Sequence, residues 1–374
     1  RLEFACVYAI AYMEYYGIRV DLDQWKKLTR KGEDQKEKCL NQLYPYIGYP
    51  TVQVGLFEEK KETDFNPNSN KQILKILEKE GIYIDNASKH ALIPYMDNTF
   101  VKLLLEYRHV EKQLNTFLYT IPEQVNPYSK RLHPSYGQNS AQSGRMSCTN
   151  PNIQQIPRSK AFRQCFNAGP GRKMVIADYS QIELRVIAQY TGDTRMINAY
   201  RRGEDLHRLT ASLILEKDLK DITKEERQSA KAVNFGLVFG MGAKGLKSYA
   251  AETYGSEMSL EEAELFKKRY FAAYKGVDRW QWKIKKELPT ESRTLAGRKN
   301  TYGPDSGLAV RFNTPIQGSA ADILKEALGQ LYLKLTANEA GKANGAGKDN
   351  PAAGDVLASP LDDTLIVAVV HDEI

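Results

Sequence analysis

The most informative part of the sequence is the stretch Arg227-Gln-Ser-Ala-Lys231-Ala-Val-Asn234-Phe235-Gly236-Leu-Val-Phe239-Gly240. Its two cations and two phenylalanines stand at intervals of four residues, so on a helix they lie along one side. Arginine can make a forked contact with a phosphate, lysine acts as a point charge, and a ring can stack on a base or a sugar. The stretch therefore predicts a helix that binds a nucleoside triphosphate, although an ordinary surface helix with an aromatic core face has the same pattern.

Two carboxylates follow apolar runs elsewhere in the chain. Asp178 follows Lys173–Ala177, and Asp372 follows Thr364–Val370; both runs are predicted to be short strands. If the strands are neighbours, both carboxylates meet at one edge, where hard oxygen ligands attract Mg²⁺ together with substrate phosphates. Considered on its own, an aspartate in such a position is more often a turn or helix-cap residue than a metal ligand. Together with the cationic helix, the pair indicates a site for phosphoryl transfer.

Composition limits the class of protein. The 374 residues predict two or three domains, and a net charge of +7 permits a polyanionic partner without requiring one. Four cysteines stand without any C-x-x-C pair, which is typical of reduced thiols in the cytoplasm rather than of a secreted protein. No apolar run is long enough for a membrane span.

Local patterns predict a largely helical chain with a few extended pieces. Short extended pieces are expected over Arg131–Tyr136 and Asn139–Cys148, and a flexible loop over Ala337–Pro360. Tyr179 is expected in the core, and Lys325 on a solvated face or in nonspecific phosphate contacts. Helices are predicted over Leu2–Tyr16, from Asp21 or Asp23 to about Tyr44, and over Gln72–Glu80, Phe100–Tyr119, Ile182–Tyr190 and Asp322–Leu335.

Separated segments of the chain resemble family A DNA polymerases, the bacterial DNA polymerase I type. Asp178-Tyr-Ser-Gln-Ile-Glu-Leu-Arg185 looks like motif A, Arg227–Gly240 like motif B, and His371-Asp372-Glu373 like motif C, in the family's order. Further similar segments are Ser143–Ser147 and Asn150–Pro157, which resemble the family's minor-groove tracking segment, Asn313–Asp322 on the template side, and Phe65–Ser69 in the thumb.

The resemblance implies an α+β right-hand fold, with a helical thumb and fingers around an antiparallel palm sheet. We expect the thumb at 1–135 with a leading palm-proximal helix, the first part of the palm at 136–194, the fingers at 195–300 and the second part of the palm at 301–374. The family's palm continues beyond motif C, so the chain looks like a thumb-palm-fingers fragment without the end of the palm. No 3′–5′ exonuclease is expected in it.

The same resemblance implies a role for each matching residue. Asp178 and Asp372 would hold two Mg²⁺ ions with help from Glu373, and Lys231 would donate a proton to the leaving pyrophosphate. Glu183 would lie below the sugar and exclude a 2′-hydroxyl. The other nucleotide-binding candidates are Gln181, His207, Arg227, Lys231, Phe235 and Phe239, and the DNA-binding candidates are Arg145, Asn152, Gln155, Asn313, Gln317 and His371. On sequence alone, Gln181 and His207 are as readily structural.

The function implied is template-directed addition of deoxynucleotides to a primer 3′-hydroxyl, with primer-template DNA and dNTPs as partners. We expect a monomer in the cytoplasm of a bacterial or phage-infected cell. A phage-type single-subunit RNA polymerase is one alternative, against which Glu183 argues, and a noncatalytic nucleic-acid-binding fragment is another. The chain departs from the family at Phe239, where tyrosine is usual, and at Gln155, where asparagine is commoner. Phe235 predicts poor acceptance of dideoxynucleotides.

Overall fold

A computed structural model of the chain describes residues 2–47, 52–53, 59–60, 65–343 and 365–370. This part of the chain is mainly helical and carries short antiparallel strand pairs. The architecture is therefore of the α+β class, as the sequence predicts.

The α-helices are distributed along the whole described chain. They are Leu2–Tyr16 (α1), Leu22–Ile47 (α2), Asn70–Lys79 (α3), Lys89–Leu92 (α4), Thr99–Gln113 (α5), Thr120–Glu123 (α6), Lys160–Arg163 (α7), Ile182–Thr191 (α8), Thr194–Arg201 (α9), Leu206–Leu215 (α10), Lys224–Val238 (α11), Ala243–Tyr254 (α12), Leu260–Ala273 (α13), Lys275–Glu287 (α14) and Leu308–Ala343 (α15). Short 3₁₀ turns cover Ile93–Tyr95, Ile153–Gln155 and Leu219–Asp221, and a π-helical turn covers Leu114–Leu118.

The strands of the described residues form two-stranded antiparallel sheets. The strands are Ile18–Arg19 (β1), Val52–Gln53 (β2), Glu59–Lys60 (β3), Arg131–Leu132 (β4), Ser135–Gly137 (β5), Ser147–Thr149 (β6), Glu291–Arg293 (β7) and Lys299–Thr301 (β8). The pairs are β1 with β4, β2 with β3, β5 with β6, and β7 with β8.

The chain divides into two compact units. The first comprises residues 1–17, 134–154 and 175–374, and the second comprises 18–133 and 155–174. The thumb, palm and fingers boundaries expected from the sequence stay predictions.

The first unit has its largest apolar core among helices α8 to α14. Leu206, Val233, Leu237, Tyr270 and Val277 are fully buried in it. Each fully buried large apolar side chain contributes about 1.5–3 kcal/mol, so this cluster holds the helices in fixed positions. The helix α15 packs against α1, α8 and α14 in the same unit.

The second unit is built around α2 and α5. Trp25 of α2 is fully buried, its indole Nε1 donates to the carbonyl of Leu118 at 3.1 Å, and its ring meets Phe162 and Phe166 edge-on. A second cluster packs α3 and α5 against the end of α2 through residues that include Leu43, Ile73, Leu77, Phe100 and Leu104.

The helix predictions agree closely with the structure, and local signals account for their ends. Helix α1 stops at Gly17, whose φ of 60° suits glycine. Asp21 begins α2 by accepting a hydrogen bond from the amide of Gln24 at 3.0 Å. Helix α8 covers the predicted Ile182–Tyr190 with one further residue.

The predictions of strands before Asp178 and Asp372 are wrong for the described residues. Residues 172–177 have no regular secondary structure, and Val175 and Ile176 are 82% and 58% exposed. Residues 365–369 are also irregular, although Ile366 and Val369 are buried; Thr364 lies outside the described residues. A strand requires a hydrogen-bonded neighbour, which an apolar run does not provide.

The long helix α15 also differs from its prediction. It begins at Leu308 rather than Asp322, and Pro315 lies inside it. It continues to Ala343, so the loop predicted to start at Ala337 is helical in its first part, and residues 344–360 lie outside the described residues. Packing against α1, α8 and α14 outweighs the proline and glycine signals in the sequence.

Two further side chains do not lie where they were expected. Tyr179 is 38% exposed rather than in the core. Lys325 is fully buried, and its Nζ donates to both oxygens of Glu3, at 2.8 and 3.0 Å, and to the carbonyl of Gln138 at 2.8 Å. A buried ammonium is tolerated only when it is paired and hydrogen-bonded, and Glu3 supplies that partner from the first turn of α1.

Among the described residues, no helix combines the length and the apolar character that a membrane-spanning helix requires.

Candidate active site

Helix α11 carries the cationic and aromatic side chains of motif B. Thr223 and Glu226 form a reciprocal capping box at its start: Thr223 Oγ1 accepts from the amide of Glu226 at 3.2 Å, and Glu226 Oε2 accepts from the amide of Thr223 at 2.9 Å. The helix ends at Val238, before Gly240 at a φ of 83°. The predicted helix is confirmed, with Phe239 as its C-cap residue.

Arg227, near the start of α11, is bound to an acid from a neighbouring segment. Its Nε donates to Asp205 Oδ2 at 2.7 Å, and both side chains are more than one-third exposed. The pair holds the guanidinium in one direction while leaving part of it open to solvent and to a ligand.

Asp205 has a second task at the start of α10. Its Oδ1 accepts from the amides of His207 and Arg208, at 2.9 and 3.2 Å, which makes it the N-cap of the helix. Burial alone would raise the pKa of Asp205, but the Arg227 hydrogen bond, the backbone amides and nearby positive charges hold the pKa below its usual value. The carboxylate is therefore ionised and joins α10 to α11.

His207 is buried directly after this cap. Its Nδ1 lies 3.0 Å from Asn234 Nδ2 of α11, and Asn234 is fully buried. Because the amide nitrogen can only donate, Nδ1 is the acceptor and the ring proton of the neutral form lies on Nε2. The pKa of His207 is lowered to about 4, mainly by burial, with the charges of Arg227 and Lys231 acting in the same direction and Asp205 opposing them. The imidazole is thus neutral at pH 7.

A buried hydrogen-bond chain fixes the orientation of Asn234. Thr210 Oγ1 lies 3.1 Å from Asn234 Oδ1 and 2.7 Å from the hydroxyl of Tyr274. Thr210 and Tyr274 are fully buried. Thr210 Oγ1 also lies 2.8 Å from the carbonyl of Leu206, so its single proton is shared between that carbonyl and Asn234 Oδ1. With the amide oxygen facing Thr210, the amide nitrogen faces His207 and donates to Nδ1.

Lys231 and Phe235 continue along α11 with different neighbours. The Nζ of Lys231 lies 5.6 Å from the centre of the Tyr254 ring, and the Phe235 ring lies 5.8 Å from the His207 ring. Both side chains are half-buried. The structure thus brings Arg227, His207 and Phe235 together through Asp205 and Asn234, with Lys231 on the same helix.

Gln181 takes a left-handed backbone conformation, with φ 58° and ψ 41°, as it enters α8. Its Oε1 accepts from the hydroxyl of Tyr200 at 3.0 Å, and the guanidinium of Arg185 lies 4.4 Å from the centre of the Tyr200 ring. Arg185 also donates to the carbonyl of Ser180 at 2.9 Å. These contacts give Arg185 a structural role, because they fix the backbone between Asp178 and Glu183.

Glu183 forms an ion pair with Arg145. The Glu183 side chain is mostly buried and the Arg145 side chain is 44% exposed. Both line a small cavity of about 50 Å³, whose lining also includes Ala320, Leu324 and Lys325. The sugar-selecting and DNA-binding candidates therefore lie in direct contact.

Phe239 packs half-buried against the core of the first unit. The residue after it cannot carry a side chain, because a Cβ on Gly240 would lie 2.5 Å from the ring of Phe312. This close approach to α15 fixes the end of α11.

The remaining DNA-binding candidates are polar side chains that differ in exposure. Asn152 Oδ1 and Asn313 Oδ1 are buried and have no hydrogen-bond partner within the described residues. Gln317 is half-buried and Gln155 is exposed. A buried amide oxygen without a partner is destabilising, and a ligand that donates a hydrogen bond would remove that penalty. His371 lies outside the described residues.

Of the carboxylates predicted to be catalytic, only Asp178 lies within the described residues, and it is exposed. Asp372 and Glu373 are not described, so the predicted pair stays a prediction. The described part of the chain contains no group of three or more His, Cys, Asp or Glu side chains that could hold a metal ion. The donor set predicted from the sequence is nevertheless entirely of carboxylate oxygens, which fits Mg²⁺.

The sequence did not single out Asp205, Asn234 or Tyr254 as site residues. An aspartate one position before a helix is a recognisable N-cap signal, so Asp205 could have been found. The contact between Asn234 and His207 spans 27 positions, and no local pattern indicates it.

The chain belongs to DNA polymerase family A. The model of the family described as DNA polymerase family A matches residues 51–374. DNA polymerase I of Aquifex aeolicus (strain VF5) is 38% identical over 334 residues, which cover 87% of this chain and 55% of that protein. The thermostable DNA polymerase I of Thermus aquaticus is 30% identical over 359 residues, which cover 87% of this chain and 40% of that protein. The chain thus spans about half the length, or less, of these relatives.

A solved structure extends the likeness to the fold. The POL domain of Pol1 from M. smegmatis, in complex with DNA primer-template and dNTP, matches with a TM-score of 0.77 and 29% sequence identity. The match covers 100% of this chain and 63% of that chain. The resemblance to the family and the right-hand fold are thereby confirmed.

Proposed function

We propose that this chain is a template-directed DNA polymerase that adds deoxynucleotides to a primer 3′-hydroxyl and releases pyrophosphate. The observation that carries the proposal is the arrangement on α11: Arg227 and Lys231 provide positive charge, and the neutral His207 supports the Phe235 ring. Membership of DNA polymerase family A supports the reaction class. Primer-template DNA and dNTPs are the partners, and we infer a monomer that acts in the cytoplasm.

In this proposal, α11 binds the triphosphate of the incoming nucleotide. Arg227 makes a forked contact with phosphate oxygens through the part of its guanidinium that Asp205 does not occupy. The primer 3′-hydroxyl loses its proton to water as its oxygen bonds to the α-phosphorus. Lys231 donates a proton to the pyrophosphate as the bond between the α-phosphorus and the bridging oxygen breaks. His207 donates from Nε2 to a phosphate oxygen without adding charge.

Asp178, Asp372 and Glu373 would hold the two Mg²⁺ ions of the reaction. When bound, these ions supply charge neutralisation at the attacking and leaving oxygens. The protein contributes position: Gln181 and Arg185, both tied to Tyr200, hold the backbone that follows Asp178.

Glu183 provides the preference for deoxynucleotides in this scheme. Its ion pair with Arg145 keeps the carboxylate in one place, where it would lie below the sugar and leave no room for a 2′-hydroxyl. Arg145, together with the amide oxygens of Asn152 and Asn313, which have no hydrogen-bond partner among the described residues, offers polar contacts for the primer-template duplex.

Primer extension with the 374-residue chain, Mg²⁺ and either dNTPs or ribonucleotides tests the proposal. We expect extension with dNTPs only. Lys231→Ala should lower kcat/KM by about a hundredfold or more, since a positioned proton donor contributes roughly 10²–10⁴. Lys224→Ala removes the same charge from an exposed position on the same helix and should leave kcat/KM within about twofold of the parent.

The other outcomes separate the alternatives. Extension with ribonucleotides at a comparable rate would indicate a single-subunit RNA polymerase. DNA binding without extension under any condition would indicate a noncatalytic binder. Equal losses from Lys231→Ala and Lys224→Ala would contradict the specific role of Lys231.

A further inference from the structure

Helix α14 is held in one orientation by its buried side. Gln281 is buried, and its Nε2 donates to the carbonyls of Leu237 and Val238 at the end of α11, at 2.7 and 2.9 Å. The ring centres of Trp280, which is half-buried, and Phe312 lie 5.4 Å apart. The opposite side of α14 therefore faces solvent in a fixed direction.

The solvent-exposed side of α14 carries a row of cations and one tryptophan. We call this row the α14 stripe, and its members are Lys275, Arg279, Trp282 and Lys286. They follow one another at intervals of four, three and four residues, so they lie along one side of the helix over about 16 Å. All four side chains are exposed, and Trp282 is 61% exposed. The stripe is thus open to a ligand along its whole length.

The helix dipole accounts for only one end of the stripe. Lys286 lies in the last turn of α14, where the dipole favours a cation, whereas Lys275 is the first residue of the helix, where the dipole disfavours one. In the part of the chain that the structure describes, neither these two lysines nor Arg279 forms an ion pair with a carboxylate. A row of uncompensated cations attracts a polyanion.

The acids of α14 leave the stripe uninterrupted. Asp278 is half-buried, and Glu287 stands one residue beyond Lys286, which is about 100° further round the helix. Two more lysines, Lys283 and Lys285, flank the stripe and are exposed. The exposed surface of the helix is therefore predominantly basic.

Trp282 adds a flat ring to this charge. The Nζ of Lys286 lies over the ring, 4.9 Å from its centre, and this cation–π contact holds the ring within the stripe. A large apolar ring in water is stabilised when another flat group covers it. An unpaired nucleobase is such a group, and its stacking on an aromatic side chain tolerates any base. The cations and the ring thus match the phosphates and the bases of a nucleic-acid strand.

We propose that the α14 stripe binds single-stranded nucleic acid, with its cations on the phosphates and Trp282 stacked on an unpaired base. A duplex fits less well, because its bases already stack on one another. An acidic peptide would satisfy the cations but would leave the ring of Trp282 exposed. The residues of the stripe have no part in the proposed reaction, and binding to them is measurable without polymerisation.

Binding of a short single-stranded oligothymidylate to the full 374-residue chain tests the proposal. An excess of blunt-ended DNA duplex is present throughout, so that any cleft for duplex DNA is occupied. Fluorescence anisotropy of the labelled strand measures Kd, and a fall in tryptophan fluorescence measures stacking. Trp282 is the reporter, because Trp25 is fully buried and Trp280 is half-buried.

Trp282→Leu should weaken binding by about tenfold and abolish the fall in fluorescence, since it removes the stacking surface from an exposed position. Trp282→Phe keeps a ring and should weaken binding by less than about threefold. An abasic strand of equal length should bind the parent about as weakly as oligothymidylate binds Trp282→Leu. Unchanged binding in Trp282→Leu, or equal affinity of the parent for the abasic strand and for oligothymidylate, overturns the proposal.

Lys286→Gln and Lys285→Gln form a matched pair. They remove the same charge from adjacent positions in the last turn of the helix, but only Lys286 belongs to the stripe. We expect Lys286→Gln to reduce the magnitude of the salt slope by about 0.7, and Lys285→Gln to leave the slope nearly unchanged. Equal slopes would contradict the stripe, because general charge would then explain the binding. Polyglutamate that displaces the labelled strand as readily as unlabelled oligothymidylate would indicate an acidic partner and would also overturn the proposal.

Discussion

The carboxylate of Asp205 joins two helices at the candidate active site: one oxygen accepts from Arg227 Nε at 2.7 Å, and the other caps the helix that begins at Leu206. The arginine expected to bind a triphosphate is thus partly neutralised while it is held in place. A phosphate that approaches Arg227 competes with this carboxylate and is repelled by it.

Asp205→Asn should therefore strengthen nucleotide binding. Asparagine caps a helix about as well as aspartate, so α10 should keep its start while the negative charge beside Arg227 is removed. We expect KM for the incoming dNTP to fall by about three- to tenfold, which is on the order of 1 kcal/mol. Steady-state primer extension over a range of dNTP concentrations measures this change.

Glu204→Gln is the control for Asp205→Asn. Glu204 is the adjacent acid and pairs with Arg202 rather than Arg227. An equal fall in KM in both variants would show that general charge, and not the Asp205–Arg227 pair, governs nucleotide binding.

The buried His207 should make stability depend on pH. In the unfolded chain the imidazole titrates near 6.5, whereas burial lowers its pKa in the folded chain to about 4. Between these values the unfolded state binds more protons, so the free energy of unfolding rises with pH across this window. The contribution is fully present above pH 6.5 and is lost as the pH falls towards 4.

His207→Gln should flatten that part of the profile. Glutamine stays uncharged, so the loss of stability between pH 6.5 and 4 should shrink by on the order of 2 kcal/mol. Urea unfolding at several pH values, followed by circular dichroism, measures the change. The exposed His90 provides His90→Gln as the control, and a profile that is unchanged in His207→Gln would contradict the buried neutral imidazole.

The sequence predicts the helices of the site better than its strands, and local interactions explain the difference. Helix α11 is specified by nearby residues, since Thr223 and Glu226 cap it and Gly240 ends it. The runs before Asp178 and Asp372 depend on a neighbouring strand, and strand pairing depends on residues far away in the chain. The apolar runs before Asp178 and Asp372 are therefore compatible with strands, but they do not determine whether a partner strand lies beside them.

The features of the candidate site, like the secondary structure, were predictable only in part. The identity and spacing of Arg227, Lys231 and Phe235 are visible in the sequence. The tautomer of His207 is not, because it depends on Asn234, which lies on another helix. Such partners are set by packing between elements, which a single sequence does not report.

Phe239→Tyr tests whether the missing hydroxyl affects sugar selection. The resemblance to the family implies a tyrosine at this position, with its hydroxyl near the glutamate that we propose excludes ribonucleotides, Glu183. We expect both proteins to polymerise dNTPs, and the tyrosine variant to discriminate better between dATP and ATP, by about threefold or more, which corresponds to roughly 0.7 kcal/mol. Single-nucleotide insertion kinetics with each substrate measures the ratio.

Phe235→Tyr is a matched comparison because it adds the same hydroxyl one helical turn earlier. It should leave the dATP to ATP ratio nearly unchanged. Identical ratios for the parent and Phe239→Tyr would rule out a role for the missing hydroxyl.

The buried ammonium of Lys325 should support folding rather than DNA binding. Lys325 and Arg298 both contact Glu3, and Arg298 also bonds to Asp322 Oδ1 at 2.8 Å. Burial alone would raise the pKa of Glu3, but the hydrogen bonds from Lys325 and Arg298 hold the pKa below its usual value. Removing Lys325 leaves Glu3 with one cation instead of two.

Lys325→Met should lower the free energy of unfolding by about 2 kcal/mol, less than the 3–5 usual for a fully buried pair, because Glu3 is partly exposed. Lys334→Met removes an exposed lysine from the same helix and should change stability by less than about 0.5 kcal/mol. Adding Glu3→Gln to Lys325→Met removes the uncompensated carboxylate and should restore part of the loss. Weaker DNA binding in Lys325→Met at unchanged stability would instead indicate that the ammonium reaches a phosphate, which is one of the two placements that the sequence predicts.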